Sequence, residues 1–90
     1  MKVSISVFGA TNKSKDMTDM EIPEKTNAKD LILEFARGLP DPDLISDKEG
    51  NLKKHLIIQI NKKRILPTKA ADSILKEGDE VRVYPSVSGG

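Results

Sequence analysis

The apolar residues of this chain change period along its length, and few architectures accommodate that change within 90 residues. Lys2 to Phe8 alternates, with Val3, Ile5 and Val7 on one side and Lys2, Ser4 and Ser6 on the other, as a strand with one covered face requires. The segment Gly9 to Lys15 is polar and turn-rich. Thr18, Met20 and Ile22 then recur at period two until Pro23 stops the pattern, because proline cannot donate to a strand ladder. A hairpin therefore opens the chain. From Asn27 the step becomes three and four: Ala28, Leu31, Ile32, Phe35, Ala36 and Leu39 share one helical stripe. Asn27 is the expected N-cap, with Asp30 in the first turn at the positive end of the helix dipole. Gly38 is expected to supply a left-handed residue that ends this helix of about three turns, and Pro40 to prevent its resumption.

Pro40 to Asn51 reads as a loop with a short hairpin inside it, around the turn-like Asp47-Lys48-Glu49-Gly50-Asn51. Leu56 to Ile60 is an apolar run of strand length ended by Asn61-Lys62-Lys63-Arg64, and Ile65-Leu66 forms a short returning edge before Pro67. Thr68 to Asp72 is polar, Ile74 and Leu75 follow, and Gly78-Asp79 turns the chain into a last strand, Glu80 to Tyr84, with Val81 and Val83 pointing one way. No repeats and no linker divide the chain. The order ββα, loop, ββ predicts an α+β roll, one main helix packed on one face of a mixed sheet.

Composition narrows the function. Ninety residues, 37% hydrophobic and 32% charged, suit one small soluble domain with a thin core and no deep substrate cavity. Fifteen Lys plus Arg against fourteen Asp plus Glu leave a net charge of +1, which gives bulk attraction to nucleic acid or acidic lipid little to act on. Only Phe8, Phe35 and Tyr84 are aromatic, a poor supply of platforms for stacking bases. Without cysteine there is no disulfide framework, thiolate metal site or cysteine nucleophile. Neither a signal peptide nor an apolar run of roughly 20 residues is present, so the cytoplasm is the expected compartment, without nucleic acid or membrane as partner.

Catalytic candidates are few. His55, beside Lys53 and Lys54, has no recognisable nucleophile or orienting acid in a motif with it and reads as a strand-edge histidine. Asp47 to Asn51 is acidic but lacks the alternating ligands and closing glutamate of a calcium loop, so no metal site is expected. Lys62-Lys63-Arg64 reads as a solvated hairpin tip of three cations.

The C-terminus offers different chemistry. Ser86-Val87-Ser88-Gly89-Gly90 has few apolar groups to anchor it and is expected to project as a flexible tail, residues 86–90, from a domain spanning residues 1–85. Gly89 and Gly90 carry no side chains, so the terminal carboxylate can be threaded through a narrow channel and set against a phosphorus atom. Once adenylated, its carbonyl carbon is unhindered toward an attacking sulfur or amine, provided an enclosing enzyme excludes water. A terminal Gly-Gly pair arises by chance in roughly one chain in two hundred, so its context matters.

That context is Gly78-Asp79-Glu80-Val81-Arg82-Val83-Tyr84-Pro85-Ser86-Val87-Ser88-Gly89-Gly90. It resembles the C-terminal signature of the molybdopterin synthase small subunit (MoaD) and related ubiquitin-like sulfur carriers, in which Gly-Asp-x-Val leads into a strand, a proline and Val-x-Gly-Gly. Ile57 to Arg64 resembles the strand of that family that ends in Val-Asn-Gly, with Asn61 matching and Lys62 in place of the glycine. Ser86 stands where a second proline is usual. The stretch from Leu44 to His55 is longer than in the compact thiamine-type carriers (ThiS), which favours the molybdopterin type or the small archaeal modifiers.

The resemblance implies a β-grasp fold with the first and last strands parallel at the sheet centre. It implies a carrier and not an enzyme, binding no cofactor itself, whose Gly90 is adenylated with ATP by a ubiquitin-activating-type (MoeB/ThiF-like) enzyme and converted to a thiocarboxylate. Gly89 would be the spacer, and Ser88, Val87, Ser86, Pro85 and Tyr84 would contact partners, among them the large subunit of molybdopterin synthase (MoaE-like). A modifier would instead join Gly90 to lysines of target proteins. A non-covalent binding module with an irrelevant tail is the remaining reading.

Overall fold

Five strands and one main helix account for the chain in a computed structural model that describes residues 1–8, 17–39 and 42–85. The strands are β1 (Lys2–Val7), β2 (Thr18–Glu21), β3 (Ile57–Ile60), β4 (Lys63–Ile65) and β5 (Glu80–Tyr84), and the helix is α1 (Ala28–Ala36). Their order in the sheet is β2-β1-β5-β3-β4. β1 and β5 run parallel and the other neighbours antiparallel, so the two ends of the chain meet in the sheet interior. This is the β-grasp arrangement that the resemblance implied.

The alternation of β1 produces one apolar face. Val3, Ile5 and Val7 are buried with Ile58, Val81 and Val83 of the neighbouring strands, and Ala28, Leu31, Ile32 and Ala36 of α1 join them in one core. Burying each such side chain contributes about 1.5–3 kcal/mol for the larger aliphatics. Asn27 caps the helix as expected, its side chain accepting the backbone N–H of Asp30 at 2.7 Å.

The end of α1 differs from expectation. Gly38 does not adopt a left-handed conformation: among the described residues, the glycines with positive φ are Gly50 and Gly78. The backbone N–H groups of Gly38 and Leu39 instead donate to the carbonyls of Phe35 and Ala36, at 3.1 and 3.0 Å. The last turn thus tightens to i→i+3 bonds, which serve otherwise orphaned carbonyls without a change of helical hand.

The connection from α1 to β3 is folded onto the core. A 3₁₀ turn, Pro42–Leu44, precedes the fully buried Ile45, and one bridge, Ser46 to Leu52, closes the expected short hairpin. Asp47 organises its turn by accepting the backbone N–H groups of Glu49 and Asn51 at 2.9 and 3.0 Å. Thr68 to Asp72, polar in sequence, lies within a second 3₁₀ segment, Pro67–Asp72, that buries Ala70.

Two further expectations are corrected by the sheet register. Lys62-Lys63-Arg64 is not a hairpin tip of three cations. Asn61 and Lys62 form the turn, both with positive φ, whereas Lys63 and Arg64 belong to β4 opposite Ile60 and Gln59, so their side chains leave by opposite faces. Ser6, placed by alternation on the polar side of β1, is buried to 1% exposure, because β1 is an interior strand beside Arg82 of β5.

Candidate functional site

The diglycine and its approach follow β5, so the site is built on how this strand is held. At its start, Gly78 turns with φ +86°, a conformation that costs glycine little and a side-chain-bearing residue more. The Gly78 N–H donates to the Lys2 carbonyl at 2.8 Å, and the Ser4 N–H to the Asp79 carbonyl at 2.9 Å. Asp79 also reaches across the sheet. One carboxylate oxygen accepts the Asn61 side-chain amide at 2.9 Å and the other accepts the Lys76 backbone N–H at 2.8 Å. The Asn61 side-chain oxygen accepts the Glu80 N–H at 2.9 Å, while the Asn61 N–H donates to the Glu80 carbonyl at 2.8 Å.

These bonds give a physical account of the resemblance. Asn61 from the first matching segment and Asp79 from the second form one clamp, tying the start of β5 to the β3–β4 turn. Sequence reading assigned Gly78-Asp79 a turn but missed its pairing with Asn61. The signal was the presence of both segments in the same chain.

At the other end, the Phe8 N–H donates to the Val83 carbonyl at 2.8 Å. The rings of Phe8 and Tyr84 stack with centroids 4.7 Å apart and planes 10° from parallel. Val81 and Val83 face the helix, so Glu80, Arg82 and Tyr84 face away from it. Tyr84 and Pro85 are both half-buried. Pro85 has no N–H to donate, so the ladder ends there. Ser86, Val87, Ser88, Gly89 and Gly90 lie outside the described residues, and the expected tail with them.

Arg82, which sequence reading passed over, sits beside Ser6 and Gln59 in the register. Its Nη2 lies 3.3 Å from a Glu80 carboxylate oxygen, whereas its Nη1 is buried with no hydrogen-bond partner. A buried donor left unmade costs about 1–3 kcal/mol.

His55 is exposed, and among the described residues no three His, Asp or Glu side chains are grouped to hold a metal. His55 instead lines a surface cleft of about 650 Å³, bounded by α1, the loop before β3 and the 3₁₀ segment after β4. No helix of the described residues is long and apolar enough to cross a membrane.

The described residues thus form a β-grasp sheet whose last strand is held at both ends. Residues 5–90 match the ThiS family, and the chain belongs to that family, the ubiquitin-like sulfur carriers of the ThiS/MoaD kind. Its members are small carrier proteins, not catalysts, that bind no cofactor and imply a ubiquitin-activating-type adenylating partner. No curated protein sequence matches the chain at a significant level.

Solved structures agree on the fold. The small archaeal modifier protein SAMP1 of Haloferax volcanii superposes with a TM-score of 0.77 at 17% identity, over 100% of both chains. SAMP1 of Methanosarcina acetivorans gives 0.71 at 22%, over 99% of this chain and 96% of that one. A Pyrococcus furiosus protein assigned as molybdopterin converting factor subunit 1 gives 0.66 at 24%, over 97% of this chain and 99% of its own. The family alternatives are thus a sulfur carrier or a small modifier of one shared architecture.

Proposed function

We propose that the chain is a sulfur carrier of molybdopterin synthesis, with Gly90 as its reactive residue. The observation that carries this reading is that the family match extends through the diglycine to residue 90, directly beyond a strand held by the Asn61–Asp79 clamp and the Phe8–Tyr84 stack. An anchored strand ending at Pro85 leaves residues 86–90 as a reach of at most about 3.3–3.6 Å per residue, enough to enter an enclosed active site while the folded body stays outside. Tyr84 and Pro85 at the base, and Ser86, Val87, Ser88 and Gly89 along the reach, make the partner contacts.

The chemistry balances as one substitution at phosphorus followed by one at the acyl carbon. In the adenylating partner, a Gly90 carboxylate oxygen attacks the α-phosphorus of ATP and pyrophosphate leaves. A sulfide-level nucleophile, hydrosulfide, then attacks the acyl carbon, AMP departs with the oxygen that joined it to the carbonyl, and loss of a proton leaves a thiocarboxylate. This terminus passes to a MoaE-like large subunit, which excludes water and presents the pterin acceptor. In the modifier reading, a lysine amine of a target protein attacks the activated carbonyl carbon and an isopeptide bond replaces the labile acyl bond.

The test is intact-mass analysis after incubation with ATP, a cognate adenylating enzyme and a sulfur donor. Replacement of one oxygen by sulfur at Gly90 is expected, together with complete loss of transfer when Gly90 is deleted. Lysine adducts bearing a Gly-Gly remnant in extract, with no thiocarboxylate formed, would establish the modifier instead. A chain lacking Gly90 that still restores molybdenum-cofactor or thiolated-tRNA synthesis in a deletion strain excludes both covalent readings.

A further inference from the structure

The cleft of about 650 Å³ beside His55 lies off the sheet face and has no part in the acyl chemistry. Its floor is aliphatic, from Leu52, Pro67 and Ala71, and its rim carries Lys29, Lys53, Lys54 and His55. This volume falls in the range of sites that enclose a small ligand or several side chains. The rim is held in place: the Lys53 N–H donates to the Ile45 carbonyl at 3.0 Å, and the Leu56 N–H to the Lys53 carbonyl at 3.3 Å. A recognition surface with its backbone already fixed sacrifices less entropy on binding.

The charges of this rim are not balanced internally. Ion pairs among the described residues join Met1 to Glu21, Arg37 to Glu34 and Arg82 to Glu80, and none uses a lysine of the cleft. Among the described residues, Lys29 Nζ donates to the neutral Asn51 side chain, at 3.3 Å. Two carboxylates, Asp47 and Glu49, stand against the three lysines at the cleft, an excess of one positive charge, and Asp47 is turned toward backbone N–H groups of its own loop. The position also matters. Ile57 pairs with Tyr84, so Lys53 to His55 approach the sheet at the end where β5 gives way to the C-terminal residues.

We infer that this cleft docks an acidic peptide segment of a partner protein, carboxylates on the lysine rim and one aliphatic side chain on the Leu52–Pro67–Ala71 floor. The floor argues against a free phosphate, which needs converging donors and gains nothing from hydrocarbon. It argues equally against RNA, since His55 is the one aromatic ring among the described residues of the cleft on which a base could stack and Glu49 opposes a continuous phosphate backbone. The docking is independent of the sulfur-carrier reading and holds for any partner that receives the C-terminus.

The full-length chain is titrated with a synthetic peptide, acetyl-Asp-Glu-Leu-Glu-Glu-amide, while backbone amide resonances are followed. Saturable shifts are expected at Leu52 to His55 and at Ala71, with the Phe8 and Tyr84 amides unmoved. Lys53→Glu combined with Lys54→Glu exchanges two exposed attractions for repulsions and should weaken binding about ten-fold. Replacing the peptide carboxylates by amides should have at least that effect. The inference is overturned if no saturable shift occurs, or if the amide peptide or the double variant binds as well as the native pair. Inorganic phosphate moving the same resonances as strongly, or a single-stranded RNA oligonucleotide binding there more tightly than the peptide, would also overturn it.

Discussion

The two faces of β5 are made of different chemistry. Toward the helix, Val81 and Val83 are fully buried in an aliphatic core with Ile5 and Ile58. Away from it, the same strand presents Glu80, Arg82 and Tyr84, all half-buried, with an aromatic stack at one end and an unpartnered guanidinium nitrogen in the middle. The first face is closed: both of its valines are buried in the core. The second carries the charged and aromatic side chains of the strand, one of them with a buried nitrogen left without a hydrogen-bond partner. Under the proposed function, this division separates what fixes the fold from what a partner can read.

Replacing a residue on the helix side provides the largest break in that contrast. Ile58 is fully buried between Val83 and Ile65 in the register. Ile58→Ala should cost about 2–5 kcal/mol by lost transfer energy and an incompletely collapsed cavity. That is a large part of the roughly 5–15 kcal/mol that stabilises a domain. Denaturant unfolding should show a lower midpoint at an unchanged slope. Folded molecules, isolated by ligand-free chromatography, should accept AMP from the adenylating enzyme as well as the native chain does. A normal midpoint would mean that the helix-side face does not hold the sheet as described.

On the opposite face the expected balance is reversed. Tyr84→Ala removes the stack on Phe8, worth about 0.5–1.5 kcal/mol beyond area burial, from a side chain that is only half-buried. The unfolding midpoint should fall less than for Ile58→Ala. The KM for the chain as substrate of the adenylating enzyme should rise about ten-fold, the equivalent of 1.4 kcal/mol of binding, with kcat nearly unchanged. An effect on stability alone would assign Tyr84 to packing and remove it from the partner contacts.

The same contrast explains which parts were readable from sequence. The helix-side face repeats one residue class at a fixed period, so Val3, Ile5, Val7 and the stripe from Ala28 to Ala36 were evident from alternation and steps of three and four. Ile45 and Leu52 were not, because the Leu44-Ile45 pair and the lone Leu52 stand in a polar loop with no period to mark them, and the bridge at Ser46 and Leu52 folds them inward. The boundary within Lys62-Lys63-Arg64 was hidden for another reason. Turn and strand share one charge there, and the turn places Lys62 at φ +72°, where glycine is the ordinary choice. Of the site, the clamp residues Asn61 and Asp79 and the base at Tyr84 and Pro85 could be picked out through the family signature. Arg82 could not, since its significance is an absent partner and no pattern of residue types records one.

The smallest effect expected is also the one that bears most directly on the purpose of the outer face. Among the described residues Arg82 forms an ion pair, 3.3 Å to a Glu80 side chain that is 47% exposed, and pairs of this kind contribute about 0–1 kcal/mol. Against that stands the buried Nη1 without an acceptor, at a cost of about 1–3 kcal/mol. Arg82→Met keeps the hydrophobic stem and removes both terms, so it should stabilise the isolated chain by about 1 kcal/mol. For a domain of this size that is an increase in Tm of roughly 4–8 °C. If adenylation weakens in the same variant, the arginine trades stability of the free protein for recognition, a common cost of functional surfaces. A fall in Tm would show instead that the guanidinium supports the sheet through contacts that outweigh its unmade bond, and both faces of β5 would then serve stability.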